Sequence, residues 1–259
     1  MSSVDIVYVV GEGAKDINDA PLRWSLRSLE MHASGVGRII VSGYPPEWLS
    51  ECVINVPIDN VEGMGKNSSI GLAAIAGAKR AGIKGMFLYS SDDHYLIKNS
   101  DMRIWPRYYT GAVDVFIGAP WFKRGSRSCR EYWSMLKKCE DYLSSIGLPS
   151  WRKACLHVNT WMDADMIIDA ERIILEAGKS GIEIEPTQLF NALFEKEVSY
   201  GRFVKYSGDM DHKATCVAGC MHKDLSKAVM FSTNDTAERD PKVVEWMERR
   251  FPNKSKWEK

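Results

Sequence analysis

The sequence predicts an α/β domain built on a mostly parallel sheet flanked by helices, and three observations carry that expectation. Apolar runs of strand length alternate with segments of helical periodicity through the first hundred residues. The strand runs are nearly continuous in apolar residues, as parallel strands covered on both faces are. Glycine or proline punctuates the boundaries between them.

Val4 to Val10 is interrupted only by Asp5 and ends in the turn Gly11-Glu12-Gly13, so it reads as the first buried strand. Pro21 to Ala33 reads as a helix: proline suits a first turn, and Leu22, Leu26 and Leu29 recur at i, i+4, i+7 while Arg23, Arg27 and Glu30 are polar. Arg38 to Ser42 and Val53 to Ile58 are the next strands, separated by a Pro45-Pro46 turn. Asn67 to Ala81, rich in Ala and Ile with Gly71 and Gly77 inside it, predicts a helix packed closely on the sheet, and Lys84 to Ser90 a fourth strand. Further helices are expected over Arg130 to Ile146, Ala164 to Ala177, Pro186 to Phe194 and Asp240 to Phe251.

At 259 residues, with 45% hydrophobic and 26% charged residues, the chain has the composition of one ordinary folded domain, residues 1–259. Lys plus Arg and Asp plus Glu number 34 each, so no net field draws it toward nucleic acid or an anionic membrane. The first residues lack a leader pattern and no apolar run approaches the ~20 residues of a membrane span, which predicts a cytoplasmic protein. Six scattered cysteines read as reduced thiols, and the His212 to His222 stretch lacks the ligand spacing of a zinc knuckle.

The fourth strand runs into Ser91-Asp92-Asp93-His94. Open parallel sheets bind ligands at the carboxyl ends of their strands. Adjacent carboxylates repel each other and stay ionised most readily beside a cation, and hard oxygens suit Mg2+ or Mn2+ bridging a diphosphate. The same Ser-Asp-Asp sequence also terminates strands in metal-free turns.

Several blocks then carry a resemblance: Leu22 to Leu29, Arg38 to Val41, Pro46 to Ser50, Asn67-Ser68 and Leu88 to Asp93 in order, with Val4 to Tyr8 before them and His157-Val158, Phe231 to Asp235 and Phe251 to Ser255 after. In this order they resemble the Stealth family of sugar-phosphate transferases, which share a nucleotide-sugar-binding α/β core with GT-A glycosyltransferases. The compact length is closer to small phage and bacterial glycosyltransferase-like proteins. The resemblance implies a GT-A-like, Rossmann-type sheet in a single domain, with residues 1–100 as the nucleotide-sugar-binding half and 101–259 as the acceptor half with C-terminal helices. It also implies a manganese- or magnesium-dependent glycosyltransferase, or a sugar-1-phosphate transferase; a sugar-binding module without catalysis is the third reading.

On this reading Asp93 and Asp92 hold the metal, and His212 is the late histidine that completes it. Val10 and Gly11 approach the base, Asp59, Lys66 and Asn67 the ribose and phosphates, and Arg27 and Asp92 complete the donor-binding set. Asp163 and Asp165 are candidates for the base that deprotonates the acceptor, although a helix cap explains them equally well. His157 is a further catalytic candidate. The acceptor is a glycan of the cell envelope or, given the interleaved cations and aromatics of Trp121 to Arg127, Arg130, Lys137-Lys138 and Trp151 to Lys153, a hydroxymethylated base in phage DNA.

Overall fold

The computed structural model describes residues 3–12, 17–59, 61–109, 113, 117, 127–149, 159–197, 203–205, 211–213, 228–233 and 235–259. In chain order these form β1 (Val4–Val10), α1 (Ala20–His32), β2 (Ala33–Ser34), β3 (Val36–Gly43), β4 (Val53–Pro57), α2 (Lys66–Arg80), β5 (Met86–Ser91), β6 (His94–Leu96), β7 (Ser100–Asp101) and β8 (Arg107–Tyr109). There follow α3 (Arg127–Ser145), β9 (Thr160–Asp163), α4 (Ile167–Lys179), α5 (Pro186–Glu197), β10 (Phe203–Lys205), β11 (Asp211–Lys213), β12 (Met230–Ser232), α6 (Asp235–Glu238) and α7 (Pro241–Arg250).

Among the described residues the central sheet has the order β4-β3-β1-β5-β9. The first four strands run parallel, as their apolar runs predict, whereas β9 pairs antiparallel with β5. A four-residue edge strand is too short to show a period, which is why the sequence did not announce it. The two-residue side-chain alternation divides each strand between two layers. Val7, Ile40, Phe87 and Met162 join one layer with α2, α3, α4 and α5, while Ile6, Tyr8, Ile39, Leu88 and Trp161 join the other with α1. A third cluster, of Trp24, Tyr95, Phe231, Met247 and Phe251, ties β6 and β12 to α7.

The helices follow the periodicity, with local adjustments. Leu22, Leu26 and Leu29 are buried on α1, which begins after Asn18 and Asp19, both in the left-handed region that Asn and Asp tolerate best among residues with a Cβ. The segment expected as one helix from Ala164 opens instead with a 3-10 turn, Ala164–Met166, capped by Asp163. Asp240 caps α7 by accepting from the Lys242 amide.

Gly71 and Gly77 have the packing role that their places in α2 predict. A Cβ on Gly77 would lie 3.0 Å from Ser42 Cβ and 3.2 Å from Val7 Cγ1, and one on Gly71 would lie 3.0 Å from Ile174 Cδ1. Gly77→Val therefore overpacks the interface between α2 and the sheet and costs about 2–3 kcal/mol, read as a shift in the urea midpoint. Wild-type stability in this variant would contradict the close approach.

The last residues fold back over the β3–β4 connection. The Ser50 amide donates to the Trp257 carbonyl at 2.9 Å, and the Lys259 amide to the Trp48 carbonyl at 2.9 Å. Glu258 is thereby placed beneath α1, where Arg27 binds it through Nε at 2.8 Å and Nη2 at 2.9 Å, with Arg23 at 3.3 Å. No helix among the described residues is long and apolar enough to cross a membrane.

Candidate active site

Strand order locates the site. β1 lies between β3, which follows it in the chain, and β5, which arrives from the opposite side after α2, so the strand ends part around the carboxyl terminus of β1. A cavity of about 680 Å3 opens there. Its walls are Val10, Gly11 and Glu12 after β1, Gly43 and Tyr44 after β3, Asp59 after β4, and Ser91, Asp92 and Asp93 after β5. Lys66, Ser69 and Ile70 from the start of α2, with Glu238 and Arg239 from the C-terminal part, close it. Lys66 and Arg239 supply positive charge to this wall, while the Asn67 amide at the amino end of α2 is taken by the Glu183 carboxylate.

The acidic turn between β5 and β6 is held from three sides. Ser25 on α1 donates to the His94 carbonyl at 2.6 Å, and Tyr8 shares its hydroxyl with Ser25 Oγ at 3.1 Å. Ser28 Oγ accepts from the Leu96 amide at 3.0 Å. The Thr233 amide approaches the Asp93 carbonyl at 3.4 Å. Within the turn, the Ser91 amide donates to His94 Nδ1 at 3.4 Å, which puts the neutral ring's proton on Nε2, 3.8 Å from Asp93 Oδ1. Burial raises the phenol pKa of Tyr8, Tyr89 and Tyr95 above the ordinary value, and the negative charge of Asp92 adds to the effect in each case, so all three stay neutral hydrogen-bonding groups at physiological pH. Ser25→Ala removes the donor to the His94 carbonyl and leaves the Tyr8 hydroxyl with Ser90, and should cost about 1–2 kcal/mol in chemical denaturation. An unchanged midpoint would show that the turn does not depend on α1.

Two carboxylates side by side fit a hard divalent cation. Among the described residues no group of three or more His, Cys, Asp or Glu side chains is placed to hold a metal ion. Asp92 and Asp93 would hold such a cation from the cavity wall.

Val10, Gly11, Asp59, Lys66, Asp92 and Asp93 are brought together on the cavity wall. Arg27 and Asn67 are not. The Arg27 side chain is bound to Glu258 and, at 3.2 Å, to the Phe251 carbonyl, because its position on α1 faces the returning C-terminal tail. Asn67 donates its amide at 2.6 Å and its Nδ2 at 2.8 Å to Glu183 Oε1. Asp163 and Asp165 lie at the other end of the sheet: the register pairs Asp163 with Met86, the first residue of β5, five residues or roughly 17 Å of strand from Ser91. Asp163 accepts from the Asp165 amide at 2.9 Å, which is the capping alternative. The backbone of His212 pairs with Phe231 on β12, and Phe231 pairs with Tyr95 on β6, so the backbone at His212 lies two strands from the strand that leaves the acidic turn.

His157, the segments Trp121 to Ser126 and Trp151 to Lys153, and residues 214–222 lie outside the described residues. Arg130 and Lys138 are exposed on α3, and Lys137 pairs with Asp141 at 2.7 Å. Tyr44, Ser69, Tyr89, Glu238 and Arg239 line the cavity without having been singled out from sequence. Glu238 follows the Phe231 to Asp235 block closely, but only the long-range pairing of β12 with β6 carries it to the site.

No family model matches the chain, and no curated protein matches it. Among solved structures the chain is similar to the galactosyltransferase LgtC in complex with donor and acceptor sugar analogs, at 13% identity over 96% of this chain and 95% of that one, with a TM-score of 0.49. A glycosyltransferase involved in glycosylation of the major capsid of PBCV-1 is similar at 13% identity over 95% of this chain and 99% of that one, with a TM-score of 0.48. An active-site mutant of LgtC is similar at 12% identity over 95% of each chain, with a TM-score of 0.50. At this identity the likeness speaks to architecture alone: the chain has the mixed α/β, mostly parallel fold of a GT-A glycosyltransferase.

Proposed function

We propose that the protein is a metal-dependent glycosyltransferase that moves a sugar from a nucleoside-diphosphate sugar to a hydroxyl of a glycan acceptor. The observation that carries this reading is the cavity at the carboxyl edge of the sheet, which Asp92 and Asp93 line together with Lys66 and Arg239. It combines, within a volume suited to a small ligand, carboxylates for a cation and a cationic wall for phosphates. In this reading Val10, Gly11 and Tyr44 bound the base, Asp59 the ribose, and Lys66 and Arg239 the diphosphate. Asp93 would hold a Mg2+ or Mn2+ ion, with Asp92 as a second ligand or an acceptor for a donor-sugar hydroxyl, and the ion would supply Lewis-acid neutralisation of the departing nucleotide. The fold likeness supports the enzyme class.

Transfer of sugar 1-phosphate is the second reading, favoured by the way the Stealth-like blocks meet in space. Tyr8 of one block shares a hydrogen bond with Ser25 of the next, Arg27 donates to the Phe251 carbonyl, and the Thr233 amide to the Asp93 carbonyl. The two chemistries differ in the nucleotide released. Incubation with a panel of nucleoside-diphosphate sugars, with Mn2+, Mg2+ or chelator, followed by mass spectrometry, should give metal-dependent nucleoside diphosphate. Monophosphate would replace the first reading by the second, and neither release nor binding of any donor would sink both.

A further inference from the structure

We infer that Glu238 is the base that takes the proton from the acceptor hydroxyl. This inference rests on the donor-site reading above, but not on the choice between its two chemistries, since in both the attacking oxygen must lose a proton.

Three observations converge. Glu238 is on the cavity wall, in company with Asp92, Asp93 and Arg239, although only 8% of its surface is exposed. Its Oε1 accepts from Thr233 Oγ1 at 2.7 Å, and Thr233 Oγ1 in turn lies 2.8 Å from the hydroxyl of Tyr95, which is fully buried. Thr233 is fixed by sheet geometry, because Ser232 pairs with His94 and the next amide reaches the Asp93 carbonyl. The carboxylate is thus built onto the same framework as the acidic turn, and its orientation is set by two buried hydroxyl groups whose own positions are set by β6 and β12.

Chemistry assigns it the remaining task. The described residues hold no three-ligand metal group that would enlist Glu238 as a further ligand beside Asp92 and Asp93. Asp163 and Asp165, the carboxylates that the sequence offers for deprotonation, stand at the opposite end of the sheet. Lys66 and Arg239 are cations and serve the phosphates. In glycosyl transfer the acceptor O–H bond breaks, the proton passes to a Glu238 carboxylate oxygen, and the acceptor oxygen bonds to the anomeric carbon. The bond from that carbon to the phosphate oxygen breaks, and its electron pair leaves with the nucleoside diphosphate. In phosphoryl transfer the same proton moves, while the oxygen bonds to the distal phosphorus and the nucleoside monophosphate carries away the electron pair of the broken bridge.

The test compares wild type, Glu238→Gln and Glu238→Asp in two measurements: calorimetric binding of nucleoside diphosphates with Mn2+, and single-turnover nucleotide release from the donor panel with water, glycerol and free hexoses as acceptors. Glutamine keeps the size and one carbonyl acceptor for Thr233, so Glu238→Gln should bind nucleotide within about twofold of wild type yet release it at least a hundredfold more slowly, with partial recovery in Glu238→Asp. Release by Glu238→Gln within threefold of wild type would overturn the inference. So would a tenfold or greater loss of nucleotide binding, which would make Glu238 part of the donor site. Wild-type binding without turnover on any acceptor overturns the base assignment alone, whereas a wild type that neither binds nor turns over removes the donor-site reading as well.

Discussion

Glu258→Gln destabilises the fold by about 3 kcal/mol, the lower end of the range for breaking one partner of a buried ion pair. Its side chain has no exposure, and it accepts from Arg27, Arg23, the Ser255 amide at 2.9 Å and the Ser255 hydroxyl at 3.2 Å. The Arg23 and Arg27 side chains retain 20% and 15% exposure, which places the cost below that of a fully dry pair but well above the 0–1 kcal/mol of a surface pair. Burial pushes the carboxyl upward, and the bonds from Arg27 and Ser255 outweigh it and hold the group below the ordinary glutamate value of 4.5. A carboxyl lowered by folding stabilises above its unfolded pKa and loses that contribution as pH falls through the folded value. The gap between wild type and Glu258→Gln in urea denaturation should therefore be full near neutrality and shrink as the solution is taken below 4.5. A gap that did not change with pH would show that packing, and not charge, holds the tail.

Asp93→Asn lowers metal-supported nucleotide release by at least 10²–10³-fold, the scale on which loss of one charge-stabilising group in an active site is felt. The fold should not suffer, because the substitution removes one of two adjacent negative charges, and the melting temperature stays level or rises. Asp92→Asn, which removes the carboxylate proposed as a second ligand or a sugar-hydroxyl acceptor, should cost about 10–10²-fold and leave the metal requirement in place. Parallel activity assays and thermal melts check both variants. A drop in activity accompanied by unfolding would mean that the acidic pair is structural.

The parts of this architecture that are local are legible in the sequence. Val4 to Val10 has the composition of a strand covered on both faces and is one; Leu22, Leu26 and Leu29 are buried where their spacing puts them; Gly71 and Gly77 sit where helices and sheet approach closely. The acidic turn at the end of β5 follows from the same reasoning, since strand direction fixes which edge of a parallel sheet receives the loops. What escaped is non-local. Asp163 has the look of a catalytic carboxylate until the antiparallel register of β9 sends it to the far edge, and nothing short of the pairing with Met86 reveals that. Arg27 sits in a block that suggests ligand binding, yet its partner Glu258 is 231 residues away and close to the chain's end. Glu238 shows the converse: a residue of ordinary appearance, brought to the cavity by three short strands, β11, β12 and β6, whose lengths carry no periodic signal.

The most direct test of the central claim is calorimetric titration of the wild-type protein with UDP, GDP, ADP and CDP, each in Mn2+, in Mg2+ and in chelator. At least one nucleoside diphosphate should bind in the presence of metal and lose at least tenfold in affinity when the metal is removed. Absence of binding for all four, or binding that chelator leaves unchanged, would contradict a donor site built on Asp92 and Asp93.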